Sequence, residues 1–195
     1  MTAASPPAGN LGLPGLHSPA AGFDQPFEML AACHERVQRS LDLLARLLAH
    51  LQQLAAAGRL PESDADARSA AADVWRYFEI AAPQHHADEE RHVIPRLLAS
   101  GDAPLVGAAR RMLDDHQAFR TLWAQLGPQL ATLQAGQAPD LARLHHSARA
   151  FIDRHAEHLP LEDDLAFPAA QRALDTAGQQ AMGHEMARRR RPPDA

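Results

Sequence analysis

Lysine is absent from this chain; its 19 basic residues are all arginines, set against 24 acidic ones. The net charge of -5 removes any global pull toward nucleic acid. Cysteine occurs once, at Cys33, which excludes an internal disulfide framework and fits a reducing compartment. Aromatics make up only 5% and β-branched residues are few, which disfavours sheet-rich folds. No apolar run approaches the roughly 18 residues a membrane span requires. The opening stretch, "MTAASPPAGNLGLPGLHSPAAGF", lacks a basic start and a continuous apolar segment. It reads as a flexible Pro/Gly/Ala arm rather than a signal peptide, so the expected location is cytoplasmic. Phosphate-cradling glycine loops, serine nucleophile elbows and nucleic-acid motifs are missing too.

Alanine and leucine dominate what is there, and they favour helices. The 195 residues suffice for one domain with tails: an arm over 1–23, a bundle over 24–175 and a C-terminal tail over 176–195. That tail, ending "MARRRRPPDA", is expected to be frayed or a short extra helix. Four amphipathic stripes are legible. The first, with Asp24 as the expected N-cap and Gly58 at its end, runs Leu30, His34, Val37, Leu41, Leu44, Leu48, Leu51. The second, from Ser63 to about Ser100, runs Trp75, Phe78, Ala82, His86, Glu90, Val93, Leu97, with a kink expected at Pro83 and Pro95. The third opens at Pro104 and runs Leu105, Ala109, Met112, His116, Phe119, Trp123, Leu126, Leu130, Leu133, with a bend expected at Gly127–Pro128. The fourth, with Asp140 as its cap, runs Leu141, Leu144, Ala148, Phe151, His155, His158, Glu162, Leu165. Joined by short Gly/Pro loops, these predict an all-α, antiparallel up-down four-helix bundle.

Histidine is abundant for a chain of this length, with 12 copies. His34, His86, Glu90, His116, His158 and Glu162 interrupt the apolar stripes, in the order His, His/Glu, His, His/Glu. Each His/Glu pair is spaced four apart, on one helix face. Unpaired carboxylates in a core are costly. A pair of cations satisfies the whole set, with Glu90 and Glu162 bridging and four imidazoles terminal. Nitrogen and oxygen donors without thiolate suit iron or manganese, with zinc as a further alternative.

The segments "MLAACHERV", "HHADEERHVIPRLL", "DDHQAF" and "HLPLEDDLAFP" resemble the hemerythrin-like, or HHE cation-binding, family over about Asp24 to Ala170. That resemblance implies a non-haem centre of two iron ions on the same six residues. Oxygen-carrying hemerythrins have a second histidine four residues further on in helix three; here Arg120 stands there. The centre therefore suits redox reaction or sensing better than reversible oxygen carriage.

Pro160 lies between His158 and Glu162; a severe break there would hand the carboxylate role to Asp163. His155 is expected to be a partner of the ligands or a structural residue, with a replacement ligand as the alternative. His85 and His92 are expected on other faces of helix two, and His50, His145 and His146 in solvent. Asp88, Glu89, Asp163 and Asp164 are expected at the surface or behind the ligands, and Cys33 as a small buried residue. The expected role is to bind or sense a small molecule, a diatomic such as oxygen or nitric oxide or a peroxide, or to handle iron, without nucleic acid or membrane; the oligomeric state stays open. Two competing readings are a di-iron redox enzyme (oxidase, peroxidase or nitric oxide reductase) and a metal-free helical interaction module.

Overall fold

The structure is a computed structural model that describes residues 21–191. Nearly all of the expected arm over 1–23, and the end of the tail, lie outside the described residues. Helix α1 spans Pro26–Ala56. Its N-cap position is Gln25 rather than Asp24, with Pro26 in the first turn, where a missing N–H costs nothing. Gly58, at φ +66°, closes it: the N–H of Arg59 reaches back to the carbonyl of Leu54 at 2.9 Å, leaving the glycine in the left-handed region.

Helix α2 is one rod over residues 65–99, capped by Asp64, whose side chain accepts from the Ala67 N–H at 3.0 Å. It is interrupted by two π turns, Tyr77–Ala81 and Glu89–Val93. Helix α3 spans Ala103–Gln134 and stays helical through Gly127–Pro128. Helix α4 covers residues 141–172, capped by Asp140 as expected, with a π turn at Glu162–Ala166. Each π turn ends two residues before a proline: Pro83, Pro95 and Pro168. A proline ring collides with the carbonyl four residues back and offers that carbonyl no N–H. Those carbonyls belong to Glu79, Arg91 and Asp164, and in each case the wider turn falls on that residue. Proline thus swells these helices rather than ending them.

Helices adjacent in sequence pack together, and α4 returns to α1 to close an antiparallel bundle. The bundle holds two apolar cores. One contains Val37 to Leu54 of α1, Ala67 to Ala82 of α2, Phe119 to Leu133 of α3 and Leu144 to Leu159 of α4. The other contains Phe27 to Leu30, Val93 to Leu97, Ala109 to Met112 and Ala166 to Ala170. Along α1, α2 and α3 the inward His and Glu residues fall between the two cores, and His158 and Glu162 lie at the same junction on α4.

The expected tail forms a fifth helix, α5, over Thr176–Arg189, capped by Asp175. Met182 and Met186 complete the second core. Gly183 faces the backbone of Phe23, where any Cβ would overlap the carbonyl. Among the described residues, no helix is long and apolar enough to cross a membrane.

Candidate metal centre

His34, His116, His158 and Glu162 are buried where the stripes place them. On α2 the register differs from expectation by one residue. His85 and Glu89 are the buried pair, at 3% and 0% exposure. The side chain of Glu90 is 35% exposed, and it accepts from Nδ1 of His116 at 2.9 Å. The inward carboxylate is therefore Glu89. The reason is angular. Steps of four residues overshoot a full turn by about 40° each, so the path 78–82–86–90 drifts about 120° around the rod. A step of three, from Ala82 to His85, takes back about 60° and keeps Glu89 on the inner face. His85 and His86 thus straddle that face, and both enter the site.

The two carboxylates divide their oxygens between two sets of imidazoles. Oε1 of Glu89 lies 3.0 Å from Nε2 of His85 and 3.8 Å from Nε2 of His34, while its Oε2 lies 3.3 Å from Nε2 of His116. Oε2 of Glu162 lies 3.1 Å from Nε2 of His34, while its Oε1 lies 2.9 Å from Nε2 of His158 and 3.8 Å from that of His116. Each carboxylate therefore spans from one half of the centre to the other. His34, His85, Glu89 and Glu162 form one compact group of donors, and His86, His116 and His158 form a second, with donor atoms within 4.8 Å of one another in each. The ring of His86 stacks on His116, centroids 4.2 Å apart.

Acidic groups hold the outer nitrogens. Nδ1 of His34 meets Asp163 at 2.7 Å, Nδ1 of His116 meets Glu90, and Nδ1 of His158 meets Asp115 at 3.2 Å. Such contacts fix the Nδ1–H tautomer and aim Nε2 inward. Asp115 is fully buried and is held in turn by Arg111, at 2.9 Å, and by Arg154. Its role was missed in the sequence; Arg111 stands four residues before it on α3, but Arg154 comes from α4 and only the fold brings it there. His85 has no carboxylate at Nδ1; the Cys33 thiol lies beside it. Burial raises that thiol, but His85 and Arg36 outweigh burial and hold it below its ordinary range.

Nε2 of His34, His85, His116 and His158 and both oxygens of Glu89 and Glu162 are buried without a hydrogen-bond partner. A buried unsatisfied polar atom costs about 1–3 kcal/mol. Eight of them would rival the whole stability of a domain, about 5–15 kcal/mol. Protons are one remedy. Burial lowers the affinity of His34 for a proton, but Asp163, Glu162 and Glu89 outweigh it and push the group up to about 12. His85 and His116 are likewise pushed up to about 10 against burial, His85 by Glu89 and Cys33, His116 by Glu162, Glu89 and Glu90. Burial and Glu89 raise Glu162, yet His116, His158 and His34 bring it well below the carboxylate range. Cations are the other remedy, and the donor set fits them: inward imidazoles and two spanning carboxylates, all oriented from behind.

Cys33, expected to be buried, is half-buried. His155 is buried outside both donor groups, its Nδ1–H donating to the Phe151 carbonyl at 2.8 Å and its ring stacked on Phe119 at 3.9 Å. Pro160 does not break α4, so Glu162 keeps the inward position and Asp163 serves as the partner of His34. At Leu165 the π turn shifts the buried position to Ala166. Arg120 reaches outward to Gln117 and Glu90. Asp88, expected at the surface or behind the ligands, is fully buried and gripped by Arg189 at the end of α5 and by Arg190 just after it.

An all-α bundle with a buried histidine and carboxylate layer able to hold metal defines a class of cation-binding helical proteins. The profile of the hemerythrin HHE cation-binding domain matches residues 25–170. An uncharacterized protein of Haemophilus influenzae is 30% identical over 171 residues, covering 87% of this chain and 92% of that protein. The chain belongs to the hemerythrin HHE cation-binding domain family.

Proposed function

We propose that the protein holds two iron ions and binds or senses a small molecule at them, such as oxygen, nitric oxide or a peroxide. The division of each carboxylate's oxygens between two imidazole sets carries this reading. His34 and His85 would hold one ion, and His116 and His158, with His86, the other; Glu89 and Glu162 would bridge. A bound pair of irons would supply one-electron redox chemistry and open positions for a small ligand. The chain's own part is orientation and exclusion. Asp163, Glu90 and Asp115 keep three imidazoles in one tautomer, and the flanking apolar cores keep bulk water away. A metal-free interaction module is disfavoured by the orphaned donors and acceptors. A di-iron redox enzyme is a second reading, favoured by a cavity that opens beside His86.

The test is metal analysis with an absorption spectrum on the purified protein and two variants. Glu89→Ala is expected to lose most bound metal, and Glu90→Ala to retain it with weakened affinity. Wild type free of stoichiometric metal after iron loading, with an unchanged melting temperature in chelator, would overturn the reading.

A further inference from the structure

Beside the second donor group lies a cavity of about 160 Å³. Its walls are the rings of Phe78, Phe119, Trp123 and Phe151, with His86 and His155 also facing it. Phe78 meets Phe151 edge-on at 4.9 Å and Trp123 at 5.6 Å; Phe119 and Trp123 each lie 5.8 Å from Phe151. Four of the chain's nine aromatic residues thus gather around one space, in a protein whose other core positions are mostly leucine and alanine.

The polarity of the lining is settled in pairs. Arg120 pairs with Glu90 at 3.3 Å, and Trp123 Nε1 donates to Glu79 at 2.7 Å. The His155 Nδ1–H is given to the Phe151 carbonyl at 2.8 Å, and the His86 ring is stacked on His116 at 4.2 Å. No unpaired charge is left among these groups to favour an ion. An apolar cavity of about 150 Å³ is large enough to hold benzene. Flat rings also favour another ring, in edge-to-face or offset contact, over an aliphatic chain of equal size.

We propose that this cavity is a binding site for a neutral, single-ring aromatic molecule of about six to eight heavy atoms, a phenol or a simple relative, held against His86 at the edge of the metal centre. The cavity is formed by the chain alone, so the inference goes beyond the di-iron reading and stands or falls separately. His155 suits a hydroxylated ring: its Nδ1–H is already given to Phe151, which leaves Nε2 as an acceptor.

The experiment is calorimetric titration of the full chain with phenol, and with cyclohexanol as the aliphatic ring of like size. Metal content is measured on the same samples. Phenol is expected to bind once per chain with a dissociation constant near the millimolar range, at least fivefold tighter than cyclohexanol. Ala82→Leu, which fills the cavity, should weaken phenol at least tenfold without changing metal content. Ala87→Leu, at a less buried lining position, repeats the test if the first variant fails to fold. Absence of phenol binding at 10-fold that concentration, equal affinity for cyclohexanol, or undiminished binding in the folded variants overturns the proposal. Phenol binding to a protein that takes up no metal would sink the di-iron reading and leave this one standing; metal without phenol would do the reverse.

Discussion

Loading the centre with metal should expel protons, and their number follows from the site. In the metal-free chain His34 holds its proton up to about 12, and His85 and His116 theirs up to about 10. A metal ligand must be the neutral imidazole, so all three protons leave on loading at neutral pH. Three protons per event change the binding free energy by about 4 kcal/mol per pH unit, roughly a thousandfold in affinity, up to the region near pH 10. The same groups set the sign of the metal-free protein's stability. Their folded values lie above the ordinary 6.5, so their contribution is complete below pH 6.5. It fades as pH rises through about 10 to 12. The metal-free form should therefore lose stability above pH 9, where the loaded form does not. Calorimetric titration with ferrous iron, in buffers of different ionisation enthalpy at pH 7.5, counts the protons. Other sources of protons only add to the count, so fewer than two released per loaded chain would refute the reasoning.

Two further predictions concern the groups behind the donors. Replacing Arg189 and Arg190 together by alanine leaves the fully buried Asp88 carboxylate without its partners. Breaking such a pair costs about 3–5 kcal/mol, or about 6–20 °C in melting temperature for a chain of this size. Adding Asp88→Asn should recover most of that loss in thermal melts; no loss in the double alanine variant would show that α5 is not held by this contact. Asp163→Asn removes the carboxylate that aims His34. Metal affinity should fall about 10- to 100-fold in chelator competition with the fold retained, and an unchanged affinity would remove Asp163 from the site.

Long helices with regular stripes were legible because four or more turns repeat the same angular rule; the buried face of α1 follows its stripe residue by residue, and that of α3 does so except at the half-buried Leu105 and Trp123. The helices that supply the site were legible for the same reason. The register on α2 was harder. "HHADEE" contains two overlapping pairs with the same spacing, His85 to Glu89 and His86 to Glu90. A signal existed: alternating steps of three and four, as in α1, select the first pair. Helix α5 left a weak trace because it carries two glycines and few apolar residues. Its place depends on His92 meeting Glu185 and on Asp88 meeting Arg189, pairings that form only after folding. The aromatic cavity draws its walls from α2, α3 and α4, a grouping that no local window contains.

The two carboxylates share one local device. Glu89 and Glu162 each open a π turn, each four residues after an inward histidine, and a proline follows each turn. In a regular helix the residues after such a pair would continue the same stripe. The extra residue in the π turn resets the stripe instead, so that Val93 and Ala166 re-enter an apolar core immediately after a charged position. This allows the bundle to be polar across one layer and apolar on both sides of it. In the metal-free chain that layer depends on protons held between its imidazoles and carboxylates, because its eight inward atoms have no other partners. Whatever fills it therefore contributes to folding as well as to function: a ligand bound only by the folded state stabilises it in proportion to the logarithm of its concentration over Kd.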